Sequence, residues 1–124
     1  MTFPAPFVSI WQEGLCRIER LKVATGVFER GVGLMFRTSI PASLGEGFLF
    51  PRCRDLHSFG MRFPLDIVWI DDRGAIQDIR RNSHPRRIIR GPKSARHVFE
   101  VKAGRLPEWS DAPLEFRSTT PYRA

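Results

Sequence analysis

The side chains best suited to chemistry gather in one stretch, His57-Ser-Phe-Gly-Met-Arg-Phe-Pro-Leu-Asp66, at the entry to the apolar run Leu65 to Ile70. His57 is the general-base candidate by residue type. Asp55 and Asp66 could orient it, and Arg62 could hold an anion. A carboxylate desolvated at Asp66 needs Arg62, Arg37 or backbone N–H groups to stay charged. One reading makes Asp66 an anchor for the loop before Pro64; the other has Asp66 and Arg62 line a pocket together. The nucleophile a catalytic histidine would serve is missing. No serine or threonine stands in a nucleophile-elbow pattern. Cys53 lies four residues from His57, about 13 Å along a strand and beyond hydrogen-bond reach. Cys53, His57 and Met61 are a soft-metal set by type, but a strand spreads them too widely to chelate one ion. His84 and His97 fall outside the segment. No metal and no cofactor is therefore expected.

Several elements must position these groups. Residues 1–13 read as a poorly patterned lead-in, kept extended by Pro4 and Pro6. Leu15 to Ala24 reads as a strand whose apolar face slips from Cys16 and Ile18 to Leu21 and Val23, the mark of a bulge or a crossing between layers. Thr25 can cap a short helix with Phe28, Val32 and Met35 on one face. Gly31 and Gly33 weaken that helix by about 1 kcal/mol each. Thr38 to Gly47 reads as a loop, and Phe48-Leu49-Phe50 as a short strand stopped by Pro51. Leu65 to Ile70, apolar on both faces apart from Asp66, reads as a central strand. Asp71-Asp72-Arg73-Gly74 is a hairpin turn, and Ala75 to Arg80 returns from it. Arg96 to Lys102 is a further strand ended by Ala103-Gly104. The tail holds at most an edge strand around Leu114 to Arg117. The expected fold is a mostly β member of the α+β class: five to seven strands in a small barrel-like or strongly curled antiparallel or mixed sheet, with one short helix.

The chain has 124 residues, enough for one domain spanning 1–124 with its own core. No apolar run reaches the ~18 residues that cross a membrane. The first residues carry no basic charge and do not resemble a signal peptide. Cys16 and Cys53 have neither disulfide-framework nor zinc spacing, so two reduced thiols in a cytoplasmic protein are expected. The formal net charge is +7. Arg80, Arg81, Arg86, Arg87, Arg90, Lys93 and Arg96 supply seven positive charges with no acid among them, so the remaining 13 basic and 13 acidic residues balance. This is a neutral body carrying one basic segment. Such a segment suits phosphates, nucleic acid or acidic partners. No aromatic residue interleaves with its charges before Phe99, and no nucleic-acid-binding motif is visible.

The order of motifs resembles a known family. Arg30-x-x-Gly33-Leu34-Met35-x-Arg37, Gly47-Phe48-Leu49-Phe50, Phe59-x-Met61-Arg62-Phe63-Pro64-Leu65-Asp66-Ile67 and Val98-x-Glu100-Val101-x-Ala103-Gly104 are similar to blocks of the domain of unknown function 192 family. The likeness covers residues 15–104 and leaves 105–124 as an irregular tail or edge strand. It implies a small β-rich domain and brings no activity, cofactor or catalytic residue. Relatives commonly close with a glycine-rich turn and an Ile/Val strand, where this chain has Arg105-Leu-Pro-Glu-Trp-Ser-Asp-Ala-Pro.

The expected function is a noncatalytic binding or accessory domain. Its groove would lie around Arg37, His57, Met61, Arg62 and Asp66, over a floor drawn from Met35, Phe36, Phe48, Phe50, Phe59 and Phe63. Such a groove would take a small anionic ligand or an acidic protein surface. Two alternatives stand beside it: a small enzyme with His57 as base and Asp66 orienting it, and nucleic-acid association through residues 80–97.

Overall fold

The computed structural model describes residues 1–4, 6–24, 46–56, 63–84 and 88–120. Its seven strands are β1 (Phe7–Gln12), β2 (Leu15–Val23), β3 (Gly47–Phe50), β4 (Leu65–Ile70), β5 (Ile76–Ser83), β6 (His97–Lys102) and β7 (Glu115–Ser118). They form one mixed sheet in the order β5-β4-β6-β3-β2-β1-β7. Only β2 and β3 run parallel among the described strands; the other neighbours are antiparallel.

The first strand departs from the expectation of a lead-in over residues 1–13. Pro4 and Pro6 stand just before β1, so their missing N–H groups cost that strand nothing, and the Pro6 carbonyl accepts from the Val23 N–H at 2.8 Å. β1 is buried along nearly its whole length on both faces, so it lacks the alternation that marks a half-exposed strand. Glu13 and Gly14, both with positive φ (51° and 77°), make the two-residue turn into β2. Positive φ at both centres is the turn whose twist matches a hairpin.

The slip in β2 is a real irregularity. Val8 faces Leu21 while Ile10 faces Ile18, so β2 carries an extra residue at Glu19 and Arg20. A bulge frees backbone donors from the ladder. Glu46 collects them: its Oε2 accepts from the N–H of Glu19 at 2.8 Å and of Arg20 at 3.4 Å.

β4 lies inside the sheet, one strand from the edge, and every residue of it is buried. The turn to β5 forms where Asp71-Asp72-Arg73-Gly74 indicates. Asp71 Oδ1 accepts from the N–H of Arg73 and Ala75, and Gly74 has φ +83°. The tail adds the edge strand β7, paired to β1. Buried Gln12 holds the irregular stretch before it, donating to the carbonyls of Ser110 and Ala112 and accepting from the N–H of Ser110.

Each face of the sheet covers its own core. One gathers Phe48, Phe50, Leu65, Ile67, Trp69 and Val98 with Leu56, Phe63 and Ile89. The other gathers Val8, Ile10, Leu21, Leu49, Val68, Ile70, Phe99 and Val101, and reaches Ile76 and Ile79 of β5 and Phe116 of β7. Strands at opposite edges thus pack into one core, which requires the sheet to curl. The Leu114 N–H donates to the Gly74 carbonyl at 2.9 Å, joining the β4–β5 turn to the approach to β7. Among the described strands the sheet nevertheless stays open, since β5 and β7 do not pair. The described residues contain no helix, and the helix expected from Thr25 to Met35 lies outside them.

Candidate functional site

Of the groove expected from the sequence, Arg37, His57, Met61 and Arg62 lie outside the described residues. Asp66 is described and is 2% exposed. Its Oδ1 accepts from the Asn82 N–H at 2.7 Å and its Oδ2 from the Gly104 N–H at 2.9 Å. Both donors sit at backbone positions with positive φ, 53° at Asn82 and 89° at Gly104. Among the described residues Asp66 therefore pins the end of β5 and the turn after β6; the loop before Pro64 that it was expected to anchor lies outside them. Hydrogen bonds from backbone N–H groups offset the cost of burying this carboxyl.

The basic segment is divided among several roles. Arg86 and Arg87 lie outside the described residues. The Arg80 guanidinium stacks 5.0 Å over the Trp69 ring and donates to the Arg90 carbonyl. Arg81 donates to the Pro107 carbonyl, and Arg90 pairs with Asp55 at 3.7 Å. Lys93 lends its carbonyl to Arg54 Nη1. Arg96 lines a cavity.

That cavity, of about 450 Å³, is lined by Arg52, Arg54, Arg96, His97, Asp72, Ala95 and Met1. Its construction follows from the strand order. β6 lies between β3 and β4, so the start of β6 meets both the turn after β3 and the β4–β5 turn. His97 stands at that junction, 1% exposed. Its Nδ1 accepts from the Arg52 N–H at 2.9 Å, which places the ring hydrogen on Nε2. Nε2 then donates to Asp72 Oδ1 at 2.6 Å. This bond from His97 is the main cause that holds the Asp72 carboxyl below its ordinary value, with the charge of Arg96 adding to it. With both nitrogens occupied, His97 has no lone pair to offer a substrate; it is a clamp between two turns.

The arginines are positioned by backbone. Arg52 adopts φ 51° directly after Pro51. The Arg54 carbonyl accepts from Trp69 Nε1 at 2.7 Å. Leu56 and Ile89 exchange two backbone hydrogen bonds, at 2.8 and 2.7 Å, which zip the Arg52–Leu56 segment to the strip carrying Arg90 and Gly91. Gly91 lies against the Trp69 indole and the Arg54 carbonyl, where a Cβ has no room. None of Arg52, Arg54 and Arg96 makes an ion pair among the described residues.

Sequence reasoning passed over this pocket. The available signal was Pro51-Arg52-Cys53-Arg54, two arginines two residues apart directly after a short strand. Nothing in the sequence says that Asp72 and His97 meet them. A second missed group is Glu100 on β6, buried among apolar side chains on the Val98 face with Phe48 and Ile67 as its cross-strand neighbours. Burial pushes its carboxyl up to about 8. Cys16 and Cys53 are both outside any disulfide. Among the described residues no cluster of three His, Cys, Asp or Glu side chains is placed to hold a metal. No helix there is long and apolar enough to cross a membrane.

Fold and pocket together define a class: a curled, mixed β-sheet domain with an arginine-lined cavity where β3 and β4 end and β6 begins. The chain belongs to the domain of unknown function 192 family, described as an uncharacterized ACR, whose sequence profile matches residues 10–110. Two crystal structures share the fold. One, described as a putative transcription regulator from Sinorhizobium meliloti 1021, is 23% identical with a TM-score of 0.70, over 94% of this chain and 96% of that one. The other, a protein of unknown function from Novosphingobium aromaticivorans DSM 12444, is 23% identical with a TM-score of 0.68, over 88% of this chain and 83% of that one. At that identity the likeness speaks for the fold alone. No curated protein matches the chain.

Proposed function

We propose that this protein is a noncatalytic binding domain for a small anion or an acidic side chain, held by Arg52, Arg54 and Arg96. The observation that carries this reading is the cavity itself: three guanidinium-bearing residues line one space, while its one carboxylate, Asp72, is engaged by His97. Guanidinium groups suit carboxylate and phosphate oxygens because their planar forks donate two parallel hydrogen bonds. A volume of about 450 Å³ lies within the range of small-molecule sites. The occupied nitrogens of His97 favour binding over catalysis.

Thermal shift tests the reading, since a ligand that prefers the folded state raises its melting temperature. Phosphate, acetate and succinate should raise it in a saturable way that weakens with salt. An Arg52→Asn/Arg96→Ala variant should lose the rise, asparagine being chosen because it tolerates the positive φ at position 52. An equal rise in that variant would sink the proposal.

A further inference from the structure

We infer that the anion this pocket takes carries an apolar body, a short aliphatic or single-ring aromatic chain on a carboxylate head; the inference rests on the anion-binding reading above. A second cavity, of about 270 Å³, adjoins the arginine pocket and shares Met1, Arg52 and His97 with it. Its other lining residues are Thr2, Phe3, Val23 and Pro51, so it is walled mainly by apolar side chains. The wall is ordered: the Phe3 ring meets the His97 ring edge-on at 4.8 Å and the Phe116 ring at 4.9 Å. His97 is the partition, its ring packed perpendicular to that of Phe3 and its Nε2 committed to Asp72.

The two halves ask for different chemistry in one molecule. The arginine side offers donors and positive charge. The Phe3 side offers apolar surface and no described charged group besides the shared Arg52 and the chain's own start. An apolar cavity of ~150 Å³ is enough to accept a benzene ring, so the second cavity has room for a phenyl group or a short alkyl chain. A fully hydrated ion such as phosphate uses only the first half. An amphipathic carboxylate uses both, with the head on Arg52 as the common wall.

Calorimetric titration of the full chain with acetate, butyrate, hexanoate, phenylacetate and hexanol tests this. Affinity should climb from acetate to hexanoate by roughly fourfold per buried methylene, phenylacetate should match the longer acids, and hexanol should bind far more weakly. Phe3→Ser should flatten the chain-length series, so that hexanoate binds no better than acetate. Thr2→Trp, which fills the apolar side from an exposed position, should do the same if the serine variant folds poorly. If acetate and hexanoate bind equally, the inference is overturned and the anion site stands. If hexanol binds as well as hexanoate, the cavity is a plain apolar pocket and the inference is overturned. If no carboxylate binds, both readings fail together.

Discussion

Replacing Glu100 by glutamine isolates the one carboxyl among the described residues that burial drives strongly away from its ordinary behaviour. Glu100 lies on β6 between the buried neighbours Phe48 and Ile67, and its carboxyl titrates near 8 instead of 4.5, desolvation being the cause. In the folded chain it therefore keeps its proton through neutral pH, while in the unfolded chain it loses it near its ordinary value. Between those two values the unfolded state binds fewer protons, so stability must fall as pH rises. The full contribution is present below about 4.5, drains across the window, and is gone above about 8. Each pH unit between the two values is worth about 1.36 kcal/mol, so the whole span is on the order of 5 kcal/mol, an upper bound given how readily a buried site relaxes. Glutamine keeps the shape and removes the titration. Urea denaturation of both proteins from pH 5 to pH 9 reads the difference. The variant should gain on the parent steadily as pH rises, by several kcal/mol in all, and level off above pH 8. A difference that stays flat across this range would mean that Glu100 is ionised and satisfied in the folded state, and that desolvation does not govern it.

Gly91→Ala should cost about 1–3 kcal/mol by overpacking against Trp69 and the Arg54 carbonyl, with a change in tryptophan emission as the indole is pushed; a neutral melting temperature would contradict the packing described. Asp66→Asn should cost about 3 kcal/mol in chemical denaturation, because the amide turns a donor toward a backbone N–H at one of the two pinned turns. Asp72→Asn should remove an acid limb of stability: Asp72 has a lowered value, so its contribution is present above its ordinary 3.8 and disappears as pH falls through the folded value. Melting curves between pH 2 and pH 5 should therefore differ in slope between the parent and this variant.

Much of the sheet was legible because its strands obey local rules. Leu65 to Ile70 reads as interior because it is apolar on both sides, Asp71-Asp72-Arg73-Gly74 reads as a turn because it supplies both an Asx acceptor and a glycine, and Leu114 to Arg117 reads as an edge. β1 escaped because burial on both faces erased its alternation and two prolines drew attention to the residues before it. The pocket escaped for a different reason. Arg52 and Arg54 follow β3, Asp72 follows β4, and Arg96 and His97 open β6; they meet only because β6 inserts between β3 and β4. That pairing joins segments some 20 to 45 residues apart, and no local pattern encodes it. Asp66 shows the complementary case. Its need for partners was readable from its place in an apolar strand, but their identity, the N–H groups of Asn82 and Gly104, depends on how β5 and the turn after β6 approach it.

Joint binding of one anion by Arg52, Arg54 and Arg96 is the central claim, and side-chain NMR of the arginine guanidinium groups reads it residue by residue. Titration with phosphate or hexanoate should give saturable shifts confined to these three arginines and the His97 ring, with Arg73, Arg105 and Arg117 unmoved. Small, unsaturable shifts spread evenly over all the arginines would contradict it.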